Sequence, residues 1–196
     1  MTEADGARAG SMNGLECRGP KLELPREELM TIPGMLLDVA SRRGSGIALR
    51  TSALGIYQEM TWTGLVDRVA SIGLGLHALG VRSGHRVAIV GDPLADWLLC
   101  DFAAQCIGGV SFGLYPTSSP NEFEFTLRHG GASVLIAEDQ EHVDKVLPLV
   151  ERLPDLKKIV VIDASNMFGY DHPVLMSLDE LVELGQQGDR ALFRQL

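Results

Sequence analysis

The side chains best placed for chemistry follow two short apolar runs. Residues 87–90 are apolar and mostly β-branched, which predicts a strand buried on both faces, and Gly91 and Asp92 come directly after it. Residues 110–114 predict a second strand, which the sequence Tyr-Pro-Thr-Ser-Ser of residues 115–119 follows. Open α/β sheets bind ligands at the carboxyl ends of their strands. Asp92 and residues 115–119 are therefore candidate ligand contacts, although helix capping by Asp92 and a turn with a helix cap at residues 115–119 are the favoured roles.

Elsewhere the sequence offers no set of residues with catalytic or metal-binding spacing. A loop of the form G-x-x-x-x-G-K-[ST] is absent, and Gly73-Leu-Gly75 lies within a predicted helix rather than after a strand. The five histidines are scattered and are interpreted as solvated or loop residues. The three cysteines, Cys17, Cys100 and Cys106, do not form a disulfide framework. We assign no catalytic, cofactor-binding or metal-binding residue to this chain.

Charge and hydropathy limit the partners and the compartment. Seventeen Lys and Arg against 26 Asp and Glu give a net charge of −9, which argues against nucleic acid and against electrostatic binding to anionic membranes. Residues 94–115 are the only candidate membrane span, and Asp96 and Asp101 within it would each cost about 2.5–3.5 kcal/mol on insertion. Residues 1–20 contain no apolar run and predict a disordered tail, not a signal peptide. We expect a cytoplasmic protein without a transmembrane segment, with peripheral membrane association left open.

A helix joins the two strands described above. Asp92 and Pro93 predict its start, and residues 94–107 are apolar almost all round, so the helix should be covered on several sides, with Trp97 mostly buried. Further strands are expected to open near Ser133 and Lys158, each preceded by a helix. This alternation predicts an α/β fold with a doubly wound, mostly parallel sheet.

Upstream, residues 22–30 should be extended, and a short helix over residues 35–42 should turn Leu36, Leu37 and Ala40 inward. A β-hairpin is expected from residues 47–51 and 56–60. Thr61 should cap a long helix whose buried stripe is Leu65, Val69, Ile72, Leu76 and Leu79. Gly73 and Gly75 within that helix suggest close approach of another backbone.

Downstream, Ser119 and Glu122 form a predicted capping box. Asp139 should cap a helix that buries Val143, Val146, Leu147 and Val150. Residues 177–180 should begin a short helix that Gly185 ends, and residues 189–196 are helix-like.

Several segments occur in an order that is similar to a known family. They are Thr61-Trp62 before the long helix, LGVRSGHRVAI over residues 79–89, Trp97, FAAQCIGG over residues 102–109, LYPTSS over residues 114–119 and GASVLIA over residues 131–137. This order resembles the opening of AMP-forming acyl-CoA synthetases of the adenylate-forming superfamily. The LYPT segment is most similar to the long-chain fatty acid CoA ligase branch. His85 departs from the acidic residue that is usual before this strand.

The resemblance implies that residues 21–196 are the N-terminal α/β subdomain of a long-chain fatty acid CoA ligase, truncated before its phosphate loop. Such enzymes use ATP and Mg²⁺ to convert a fatty acid to an acyl-adenylate, release pyrophosphate and transfer the acyl group to CoA. The phosphate loop and catalytic lysine that the family needs do not occur before Leu196. We therefore expect this chain alone to be inactive, to bind none of these ligands tightly and to self-associate. The alternative is a stand-alone interaction module, derived from such an enzyme, that docks on a partner without chemistry.

Overall fold

The computed structural model describes residues 31–193. Its elements in chain order are α1 (Ile32–Arg43), β1 (Ile47–Ala53), β2 (Ile56–Thr61), α2 (Trp62–Ala78), β3 (Arg86–Val90), α3 (Ala95–Cys106), β4 (Val110–Leu114), α4 (Pro120–Gly130), β5 (Ala132–Ala137), α5 (Gln140–Val146), a 3₁₀ helix (Leu147–Arg152), β6 (Lys158–Val161), β7 (Leu175–Ser177), α6 (Leu178–Gln186) and α7 (Arg190–Phe193). The tail predicted over residues 1–20, the extended segment predicted over residues 22–30, Cys17 and residues 194–196 lie outside the described residues.

The central feature is a five-stranded sheet with the order β4-β3-β5-β6-β7, in which every neighbouring pair is parallel. The chain leaves β3 for β4 on one side and then returns to β5 on the other side of β3. The strand order therefore reverses at β3, which confirms the doubly wound α/β layer. Strand β7 was not predicted, because its three residues are shorter than the apolar runs by which strands are recognised. The predicted hairpin is present as β1 and β2, a separate antiparallel pair.

Two apolar cores cover the two faces of the sheet. One contains residues of α2, α3 and α6 together with Val87 and Ile89 of β3, and the other contains residues of α4 and α5 together with Ala88 and Val90. All four strand residues are fully buried. Burial on both faces explains why this strand is apolar throughout rather than alternating.

Helices α2 and α6 pack through glycines at unusually close range. A Cβ added to Gly75 would lie 2.3 Å from the carbonyl oxygen of Leu181, and one added to Gly185 would lie 1.8 Å from the carbonyl oxygen of Ser71. The predicted close approach is thus confirmed at Gly75, and a Cβ added to Gly73 would lie 3.3 Å from the carbonyl oxygen of Ala103 in α3. Gly185 does not end α6 as predicted but lies within it, because contact with α2 rather than a helix terminus requires the glycine.

Three predicted helix caps are present. Thr61 accepts a hydrogen bond from the Gly64 backbone, Asp139 accepts one from the His142 backbone, and Ser119 with Glu122 forms a capping box. At the predicted helix start over residues 177–180, Ser177 and Glu180 form a further capping box. The helix expected through Val150 ends at Val146 and continues as the 3₁₀ helix, whose Pro148 has no backbone N–H to donate. Leu147 and Val150 are consequently only half-buried.

Two helix starts differ from the prediction. Helix α3 begins at Ala95 after Leu94 and has no side-chain cap, so the expected cap at Asp92 is wrong. The helix starts late because the chain first makes a turn, in which the Leu94 N–H donates to the Asp92 carbonyl oxygen over 2.7 Å. Helix α1 begins at Ile32, earlier than expected, because Thr31 caps it by accepting a bond from the Gly34 N–H. Leu37, predicted to face inward, is exposed.

Trp97 is half-buried rather than mostly buried, since it lies where α3 faces the hairpin and solvent reaches one side of the ring. We expect Trp97→Ala to lower the free energy of unfolding by about 1–2 kcal/mol, less than the roughly 3–5 kcal/mol typical of a fully buried aromatic residue. Urea unfolding followed by circular dichroism measures this difference. A loss above about 3 kcal/mol would contradict the half-buried placement.

Candidate functional site

The candidate site lies at the carboxyl edge of the sheet, where β3 and β5 are neighbours. Asp92 follows β3 and Glu138 follows β5 directly. Strand β3 leads to a helix in one core and β5 leads to a helix in the other, so the loops after these strands diverge. This divergence is the point where doubly wound sheets form their ligand crevice. The structure therefore places Asp92 at the position that the sequence indicated.

Glu138 occupies the space between the two strand ends. Its Oε2 accepts a hydrogen bond from the Asp92 backbone N–H over 2.6 Å. Gly91, with a φ of 139°, makes this contact possible, because a Cβ there would lie 2.4 Å from the Glu138 Cβ. Sequence reasoning missed Glu138, and the signal that could have found it is an acidic residue directly after a predicted strand.

Further acidic residues continue this edge. The Asp163 backbone N–H donates to the Glu138 carbonyl oxygen over 2.7 Å, so the loop after β6 joins the loop after β5. The Asp163 carboxylate accepts the Ser165 backbone N–H, and this bond lowers the pKa of Asp163 below its ordinary value. Asp139 accepts from the His142 backbone and also contacts His142 Nδ1 at 2.8 Å.

Residues 115–119 form a turn followed by a helix cap. The Ser118 N–H donates to the Tyr115 carbonyl oxygen over 3.0 Å, and Lys145 Nζ donates to the Pro116 carbonyl oxygen over 2.7 Å. Ser119 caps α4, and its backbone N–H lowers the pKa of Glu122. The predicted turn-and-cap role is confirmed. Ligand contact by this segment stays a prediction. Tyr115 is 81% exposed and could therefore contact a ligand.

Acidic side chains dominate this edge of the sheet. Asp92, Glu138 and Asp163 place negative charge at the strand ends, and Lys145 already donates to Pro116 and to Glu141. Among residues 31–193, no group of three or more His, Cys, Asp or Glu side chains could hold a metal ion.

The structure describes all five histidines and two of the three cysteines. His142 is buried, contrary to the prediction that all histidines are solvated or in loops, because α5 turns its ring inward beside Asp139. Burial lowers the pKa of His77, with a smaller effect from the Arg82 charge. Burial raises the pKa of the Cys106 thiol to about 11 and that of Cys100 further, so both remain protonated and poorly nucleophilic. Both are free thiols.

Two surface grooves lie beside the hairpin. The hairpin groove, about 770 Å³, runs between β1, β2 and the start of α3 and is lined by Met60, Leu94 and Trp97, among others. The α1 groove, about 290 Å³, lies between α1, the hairpin and α3 and is lined by Ile32, Met35, Trp62 and Phe102, among others. Leu49 and Leu98 line both grooves, which are therefore adjacent.

Comparison with known proteins decides the family. The family described as "AMP-binding enzyme" matches residues 38–180, which are most of the chain. This range includes the hairpin and all five strands of the sheet, and it ends in the first turn of α6. The chain belongs to this family. The recognition of the N-terminal part of an AMP-forming acyl-CoA synthetase is thereby confirmed.

Relatives within the AMP-binding enzyme family point to one branch. The chain is 31% identical over 137 residues to the long-chain-fatty-acid–CoA ligase FadD15 of Mycobacterium bovis, covering 70% of this chain and 22% of that protein. It is 24% identical over 171 residues to the long-chain-fatty-acid–CoA ligase ACSBG2 of Xenopus laevis, covering 85% of this chain and 23% of that protein. The chain thus spans less than a quarter of the length of these relatives.

Solved structures of the family share the fold. The anthranilate CoA ligase AuaEII, in complex with anthranoyl-AMP, superposes with a TM-score of 0.66 at 26% identity over 77% of this chain and 26% of that one. The A-PCP didomain of the carboxylic acid reductase from Segniliparus rugosus superposes with a TM-score of 0.73 at 18% identity, over 85% of this chain and 28% of that one.

No helix within residues 31–193 is long and apolar enough to cross a membrane. Residues 94–115, the candidate span, instead contain helix α3 and strand β4.

Proposed function

We propose that this chain is the N-terminal α/β layer of a long-chain fatty acid CoA ligase. The complete enzyme converts a fatty acid, ATP and CoA to acyl-CoA, AMP and pyrophosphate through an acyl-adenylate, with Mg²⁺ on the nucleotide. The observation that carries the proposal is the match to long-chain-fatty-acid–CoA ligases over 70–85% of the chain. The doubly wound sheet of the described residues supports it.

We propose further that this 196-residue chain alone does not catalyse the reaction. Adenylation needs donors aimed at the phosphates and a cation that stabilises the charge of the transferred group. At the carboxyl edge of the described sheet, the Asp92 N–H is bound by Glu138 and the Lys145 ammonium by Pro116 and Glu141. The role of this layer is to support the substrate-binding parts of the enzyme, in the cytoplasm, with peripheral contact to membranes that hold its fatty acid substrate.

The coding sequence downstream of codon 196 tests this proposal against the interaction module. An open frame that encodes a loop similar to T-S-G-T-T-G supports the ligase, and its product should form acyl-CoA from a long-chain fatty acid. A natural stop codon at that point supports the module instead. The module draws its support from the α1 groove, whose lining offers a partner an apolar surface.

We also expect the 196-residue chain to self-associate. Among the strands of residues 31–193, β4 lies at one edge of the sheet and pairs only with β3, so its outer side could pair with a second copy. Sedimentation equilibrium at tens to hundreds of micromolar should show a dimer or larger species. A single monomeric species across that range would contradict this expectation.

A further inference from the structure

We propose that a pocket at the amino edge of the sheet, where β3, β5 and β6 begin, binds the phosphate group of a small soluble molecule. This amino-edge pocket has a volume of about 250 Å³, and its lining includes the basic residues His85, Arg86 and Lys157 and one acidic residue, Asp155. The whole chain carries 17 Lys and Arg against 26 Asp and Glu. The surplus of basic residues in the pocket is therefore local, and its sign is opposite to that of the net charge.

The sheet determines the spacing of Arg86 and Lys157. Ser133 of β5 lies between them, because its hydroxyl donates to the Arg86 carbonyl oxygen over 3.0 Å and its carbonyl oxygen accepts from the Lys157 backbone N–H over 2.9 Å. Neighbouring strands lie about 4.8 Å apart, so the two basic residues on either side of β5 have backbones about 10 Å apart. Their long side chains can meet at one phosphate group from opposite sides.

The guanidinium group of Arg86 lies against the backbone at the end of α4. A Cβ added to Gly131, which caps this helix with a φ of 58°, would lie 2.6 Å from Arg86 Nη2. A larger residue at this position would displace the guanidinium. Gly131 thus leaves room for Arg86 in the wall of the pocket.

The donors of the pocket are available to a ligand. The neighbouring basic residues Arg82 and Lys158 donate to backbone carbonyl oxygens, of His77 and Pro173 respectively. In the described part of the chain, by contrast, the side chains of the three basic lining residues make no hydrogen bond and no ion pair. Three unpaired basic groups this close together are stabilised when an anion binds between them.

The charge and the number of donors fit a phosphate group. A phosphate monoester carries a charge of about −1.5 to −2 at pH 7 and three acceptor oxygens. The Arg86 guanidinium can donate to two of these oxygens as a planar fork, and the Lys157 ammonium and the His85 ring can donate to the third. A carboxylate, with one charge and two oxygens, would leave one of the two cations without a partner. Asp155 opposes the anion and limits its affinity.

The test is a titration of the 196-residue chain with inorganic phosphate at constant ionic strength, followed by the NMR signals of the backbone amides. We expect saturable shifts of the amide signals of Gly84, Ser133 and Lys157, which line the pocket. Arg86→Gln and Lys157→Gln should each raise the Kd about tenfold, because each removes a charge-assisted hydrogen bond. Asp155→Asn should lower the Kd about threefold.

Lys158→Gln is the matched control, because it removes the same charge one residue further along the chain. Lys158 donates to Pro173 and does not line the pocket, so its replacement should change the Kd by less than about twofold. Equal weakening in Lys157→Gln and Lys158→Gln, or no saturable shift at the pocket amides, would overturn the proposal.

A second arm distinguishes a soluble phosphate from a lipid headgroup. Vesicles of phosphatidylcholine with phosphatidic acid present the same phosphate group on a membrane, and cosedimentation measures binding to them. We expect inorganic phosphate to bind in the absence of vesicles. Binding to the vesicles without binding of inorganic phosphate would overturn the proposal, because the basic residues would then recognise a membrane surface.

Discussion

Gly75→Ala and Gly185→Ala should each lower the free energy of unfolding by about 3 kcal/mol, which is at the upper end of the losses typical of overpacking. The added Cβ would lie 2.3 Å from the Leu181 carbonyl oxygen in the first case and 1.8 Å from the Ser71 carbonyl oxygen in the second. Both obstacles are backbone atoms, so α2 and α6 must separate. The gain of about 1 kcal/mol from helix propensity does not offset this.

Gly64→Ala is the matched control, because Gly64 lies in the first turn of the same helix α2. A Cβ there would lie 3.4 Å from Thr61 Oγ1 and 3.7 Å from Met60 Cγ, which is ordinary contact. We expect this variant to be more stable than the parent by about 0.5–1 kcal/mol. Chemical unfolding of the three variants measures the contrast. Equal stability of Gly75→Ala and Gly64→Ala would show that the packing of α2 on α6 is wrong.

Phe123→Ala should have the largest effect of the core substitutions, a loss of about 3–5 kcal/mol. Phe123 is fully buried in the core between α4, α5 and the sheet, and its removal leaves a cavity that neighbouring side chains fill only in part. Phe125→Ala, two residues along α4, is the control. Its ring is 68% exposed and stacks only on His129, so the change should be within about 0.5 kcal/mol. Similar losses in both variants would show that α4 presents a different face to the sheet.

The sequence predicted the main layer because local signals agreed with tertiary packing there. The apolar run of residues 87–90, the capping box at Ser119 and Glu122 and the glycines of α2 each indicated one structure, and each is found. The expected cap at Asp92 failed because the chain turns between Asp92 and Leu94, so that α3 begins only at Ala95. The contact of the Asp92 backbone with Glu138 depends on the pairing of β3 with β5, which no local pattern shows.

The sequence predicted where the candidate site lies but not the contacts within it. The carboxyl edge of the sheet follows from the strand–helix alternation, and Asp92 and residues 115–119 lie there. That Glu138 contacts Asp92 could not be predicted, because it depends on which side of β3 the next strand pairs. The burial of His142 depends on how α5 packs on the sheet. The half-burial of Trp97 likewise depends on the distance between the hairpin and α3, which sequence periodicity does not define.

The most direct test of the account is fatty-acid-dependent exchange of labelled pyrophosphate into ATP in the presence of Mg²⁺. Two proteins are compared, the 196-residue chain and the product of its own reading frame extended beyond codon 196, with a complete long-chain fatty acid CoA ligase as the positive control. We predict background exchange for the 196-residue chain and exchange for the extended product. Exchange by the 196-residue chain, or none by a folded extended product, would contradict the assignment of this chain as the supporting layer of a ligase.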